Sequence, residues 1–257
     1  MLACAVAACA AGPGAAPAGA AAGRVPPTPR ANVALGPLPA ACDAKPRSAA
    51  CEDGVVRALD RARAKLRLGP YRLPRDFTRL APARQWLILV NLDRIAYRLA
   101  PVAGLLPALD RAAARGAAGK FDPAPPPGLF AGRPRWTYAS SWASDFPDAL
   151  LAYYFWVYAD GFPGGNVDCR QPRDAGCWAH RRNVLLRAAP GMTLSMGAAQ
   201  VRHADGGLGF ALLIAGWDPP APLAYAYTWA RAVADGAGRV SRRPAAGRRD
   251  GRAPRPS

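Results

Sequence analysis

The segment that most restricts how this chain can fold lies near its C-terminal end. Two strand-like stretches, MTLSMGAAQVR (Met192 to Arg202) and LGFALLIAGWD (Leu208 to Asp218), flank the turn HADGG. Asp-Gly between apolar runs is a hairpin signal, so the two stretches are expected to pair antiparallel. A third strand-like stretch, LAYAYTWARAV (Leu223 to Val233), extends the pair to a meander. A sheet needs cover, and the segments before it read as helices. The expected class is therefore α+β, with helices packed over a small antiparallel sheet.

Those helices are legible from periodicity and punctuation. Val55, Leu59, Ala62 and Leu66 recur at helical spacing before Gly69-Pro70, which predicts a helix in an N-terminal extension. Pro82 can open a second helix at its first position, with Ile88, Leu92, Ile95 and Leu99 as its apolar stripe and Asn91, Arg94 and Arg98 on another face. PALDRAAARGAAGKF forms a third, stopped by the proline-rich DPAPPPG. GRPRWTYASSWASDF reads as a long loop, whose Trp136, Tyr138 and Trp142 either line a groove for sugar or peptide or pack beneath it. Pro147 opens an aromatic helix, PDALLAYYFWVYADG, with Asp145 and Asp160 placed to begin and end it. A short helix from about Trp178 to Leu186 follows.

Cysteine spacing points to a compartment. Cys42 and Cys51 are close in sequence, as are Cys169 and Cys177, and each pair could close a small loop. Disulfides in an oxidising environment fit this pattern; free or metal-bound thiols are the competing reading, although CxxC spacing is missing. Residues 1–23 resemble the apolar end of an export signal, and Val6-Ala7-Ala8-Cys9 resembles a lipobox that would lipidate Cys9. Residues 24–75 then form a linker with the helical extension, 76–233 the main domain, and 234–257 a disordered tail.

Net charge is +17, carried by 31 Arg against 3 Lys. From Arg231 to Ser257 there are 8 Arg and 2 Asp, which suits an electrostatic tether to an anionic cell-envelope polymer or a solvated tail. The sequence carries no nucleic-acid reading motif, and its apolar runs fall short of a membrane-spanning helix.

The order of landmarks resembles a known family. VNLDRIAYRLAPVAGL is followed by a small-residue helix, a Trp-rich loop, an aromatic helix ending WVYADG, then CWAHRRNVL and MGAAQV. This is similar to the CAP superfamily of cysteine-rich secretory, antigen 5 and pathogenesis-related (SCP-like) proteins, in a divergent form found in secreted actinobacterial proteins. The resemblance spans roughly Arg79 to Val233, about 60% of the chain, and is most specific over Cys177 to Leu186. It implies a three-layer α-β-α sandwich, an extracellular or envelope-anchored location, and a cleft where two histidines and two glutamates can bind a divalent cation.

Only part of that ligand set exists here. Glu52 is the sole glutamate and precedes the region of resemblance. The family's earlier histidine would fall within Ala112 to Ala117, leaving His180 alone. The expectation is a degenerate cleft with no metal or other cofactor, in a non-catalytic binding module. His180 and Asn183, three apart on a helix, share a face. Either they hold backbone groups, or His180 acts as the base of a peptidase or esterase with an Asp and with Ser140, Ser141 or Ser144. Asn91 and Arg94 either satisfy loop carbonyls or form an exposed polar face, and Trp142 is the aromatic expected nearest the cleft.

Overall fold

A computed structural model describes residues 26–36, 48–218 and 223–238, together with Leu38, Ala40, Cys42 and Lys45. The proposed leader, Cys9 and the tail beyond Gly238 lie outside the described residues. Six α-helices and five strands are present among the described residues: α1 Ala49–Lys65, α2 Pro82–Ala96, β1 Gly104–Leu105, α3 Pro107–Gly119, β2 Trp136–Ser144, α4 Ala149–Tyr158, α5 Ala179–Val184, β3 Thr193–Arg202, β4 Leu208–Trp217, β5 Tyr227–Thr228 and α6 Trp229–Ala234. The class is α+β.

The expected hairpin is the centre of the sheet. β3 and β4 pair antiparallel from Thr193 opposite Trp217 to Arg202 opposite Leu208, closed by a turn in which the His203 N–H donates to the Gly207 carbonyl. Every residue of β4 is buried, because helices cover both of its faces. On one face Leu213, Ala215 and Trp217 meet Leu106 and, on α3, Leu109 and Ala112. Gly197 of β3 makes this approach possible, since a Cβ there would lie 2.0 Å from the Leu109 carbonyl carbon. On the other face Phe210, Leu212 and Ile214 enter the main core with Trp86 and Ile88 of α2 and Trp156 of α4.

Three expectations change. The sheet order is β2-β4-β3-β1-β5, and β1 runs parallel to β3, so the sheet is mixed rather than antiparallel throughout. The stretch expected as a long loop contains β2, a nine-residue edge strand paired with β4 from Trp136 opposite Trp217 to Ser144 opposite Gly209. Its aromatic residues at 136, 138 and 142 have the parity of one sheet face, a period-two signal masked by interspersed Ser and Ala. The third strand-like stretch yields only β5 before turning into α6, because the Thr228 side chain accepts the Arg231 N–H and caps a helix.

The helix expected as an extension belongs to the main core. Val55, Leu59 and Ala62 of α1 are fully buried, and its N-terminus is fastened by the Cys42–Cys51 disulfide. Its Arg63 reaches Asp93 of α2, which also accepts hydrogen bonds from Tyr71, Tyr153 and Tyr158. α2 is consequently buried on nearly all sides from Gln85 to Arg94, while Ile95 of its predicted stripe is 45% exposed.

Candidate functional site

α4 ends at Tyr158, and a loop of glycines, Asn166 and the Cys169–Cys177 disulfide carries the chain to α5. Trp178 precedes α5 with a φ of 62°, and its indole lies on Gly161, where a Cβ would be 2.5 Å from the ring. This contact folds the disulfide loop back over the end of α4. His180, on the first turn of α5, is thereby set beside Asp160.

The two side chains form a fixed pair. His180 Nδ1 lies 2.7 Å from Asp160 Oδ1, which also accepts from Asn166 Nδ2, while Asp160 Oδ2 accepts the backbone N–H of Arg181 at 3.2 Å. With a carboxylate accepting, Nδ1 carries the proton and Nε2 has no hydrogen-bond partner among the described residues. Burial pushes the His180 pKa down. The hydrogen bond and charge of Asp160, with the charges of Asp122 and Asp168, outweigh it, and the net shift is upward. Asp160 therefore orients the imidazole instead of ending α4, and the residue that caps α4 is Asp148, not Asp145.

His180 opens onto a cavity of about 490 Å³. Trp142, Phe146, Phe155 and Trp156 provide its aromatic wall, and the Trp156 and His180 rings are near parallel with centroids 6.4 Å apart. Asp122, Asp145 and Asp168, all exposed, stand with buried Asp160 around it. Partial removal from water raises the Asp122 carboxyl, offset in part by His180 and by the backbone N–H of Trp142. The cleft thus has acidic company that a count of glutamates does not reveal: these aspartates come from loops on three sides, and their convergence exists only in the folded chain.

The remaining expected residues support the cavity from behind. Asn183 Nδ2 donates to the Ser140 carbonyl and to Ser141 Oγ, tying α5 to β2. Arg94 NH1 donates to the carbonyls of Val184 and Leu186 just beyond, tying α5 to α2, and burial brings its pKa down to about 10. Asn91 exchanges two hydrogen bonds with Val102, at 2.9 and 2.7 Å, and is remote from the cavity wall. Of the candidate serines, Ser144 Oγ donates to Asp145 at 2.6 Å, Ser141 is fully buried against Asn183, and neither is hydrogen-bonded to His180. Trp136 and Tyr138 are exposed in a separate groove beside the proline-rich segment, with Phe130 stacked on Trp136.

The divalent cation implied by the resemblance does not fit. No group of three or more His, Cys, Asp or Glu among the described residues is arranged to hold a metal ion. The alanines at the other histidine's expected place, Ala113 and Ala117, are packed against Ala211 of β4. No protein-family model, curated protein or solved structure matches this chain.

Proposed function

We propose that the chain is an exported CAP/SCP-like binding module, active at the cell envelope, whose ligand occupies the His180 cavity without covalent chemistry. One observation carries this reading: an aromatic-walled cavity of about 490 Å³, within the range of small-molecule sites, contains an imidazole locked onto a carboxylate and joined to no nucleophile among the described residues. Both disulfides suit an oxidising compartment, and no helix among the described residues is long and apolar enough to cross a membrane. The Arg-rich tail would hold the module to an anionic envelope polymer. In that case adsorption to isolated cell wall is salt-sensitive and is lost on deleting residues 239–257.

The hydrolase reading draws on the same His180–Asp160 pair, which supplies a base and its orienting group. His180→Ala separates the two. A binding module shows no turnover of an ester or peptide panel before or after the change and loses thermal stability with it. Wild-type turnover abolished by His180→Ala, with stability unchanged, overturns the binding reading.

A further inference from the structure

The cavity's charge runs against that of the chain. In a sequence with 34 Lys and Arg, the described cavity lining has four aspartates, one histidine and neither Lys nor Arg. Asp122, Asp145 and Asp168 have no Lys or Arg within salt-bridge distance among the described residues, although exposed carboxylates in so basic a protein would find such partners readily. Within the chain, the Trp142 backbone N–H donates to Asp122 and the Ser144 hydroxyl donates to Asp145 at 2.6 Å, and both donors are neutral. Negative charge is concentrated here, and the one basic side chain in the described lining, His180, is already paired with Asp160.

The lining is also aromatic. Trp142, Phe146, Phe155 and Trp156 border the same space, and ring faces attract cations through their quadrupole, most strongly for tryptophan. Carboxylates alone would attract any cation. Carboxylates set among indole and phenyl rings favour one with an apolar surface, because such an ion sheds its hydration at low cost and fills the space between the rings.

We infer that the His180 cavity takes an organic ammonium ion, with the rim aspartates facing its charge and the aromatic wall its alkyl groups. This rests on the binding-module reading and adds the chemical class of the ligand. A metal ion is a poorer match, since no three potential ligands among the described residues converge on one point.

Choline is a direct probe, tested on the full chain against two analogues of the same shape: the neutral alcohol with a tert-butyl group in place of trimethylammonium, and the anion tert-butylacetate. The readout is the indole N–H resonances of Trp142 and Trp156, assigned with Trp142→Phe and Trp156→Phe. Choline is expected to shift both, with the neutral analogue weaker by roughly tenfold and the anion inactive. Asp122→Asn and Asp168→Asn, both at exposed positions, should each weaken choline by about threefold or more, and less so in high salt. If the neutral or anionic analogue binds as well as choline, the ammonium assignment falls while the binding cavity stands. If none of the three shifts either tryptophan, the ammonium assignment falls, and the binding reading is decided by the turnover test with His180→Ala.

Discussion

Asp93 shows how much one side chain can organise in this fold. Fully buried on α2, it takes Arg63 of α1, Tyr71, and Tyr153 and Tyr158 of α4 as partners, so one carboxylate joins three helices. Asp93→Ala strands a buried guanidinium and is expected to cost about 3–5 kcal/mol, measured by denaturant unfolding. Nothing near Asp93 in the sequence announces this, since its partners are 22 to 65 residues away. His180 was conspicuous because histidine is rare here and stands beside a cysteine pair. Its orienting Asp160, twenty residues earlier, looked like a helix terminator. The pair also sets a pH dependence. The pKa of His180 in the folded chain is raised by Asp160, Asp122 and Asp168 against burial, so its stabilisation is fully present below the unfolded value of about 6.5 and is lost as pH rises through the folded one. The stability difference between wild type and His180→Gln should thus be larger at about pH 5.5 than at about pH 8.5.

At the scale of elements, segments with local punctuation were the readable ones. Pro82 begins α2 and Pro107 begins α3, both as expected at a helix N-terminus, and the Asp-Gly turn joins β3 to β4. Elements defined by distant pairing were not. β1 is two residues long and exists because β3 and β5 lie on either side of it; β2 is a strand because it docks along β4. The disulfide loop before α5 is another element whose effect is local. Cys169 and Cys177, with Cα atoms 4.5 Å apart, close only their own loop and, with Trp178, form a cluster apart from the main core. Replacing both by Ser should cost about 2.5 kcal/mol on chain-entropy grounds. Local amide exchange should rise in residues 161–180 well before β3 and β4 lose protection.

Across the whole molecule, the described chain is bound into one core from Val33 to Ala237. Tyr154 donates to the Val33 carbonyl, and Gly238 N–H bonds to Arg72 O, so both flanks return to the centre. A boundary at residue 76, suggested by linker-like composition, cuts through this core. Composition reports how polar a segment is, not whether α1 buries Val55 and Leu59 against its neighbours. A chain trimmed to begin at Asp76 should therefore be unfolded by circular dichroism, whereas one beginning at Pro26 keeps a cooperative melt. The charge distribution has a different reach. The chain carries a net charge of +17, while the opening beside His180 is edged by Asp122, Asp145 and Asp168. Within the ~8 Å reach of charge at physiological salt, any polyanion attracts the body and repels that edge. On the proposed tethering to such a polymer, the molecule would settle like a compass needle, its entrance pointing away from the polymer and free to sample what diffuses past.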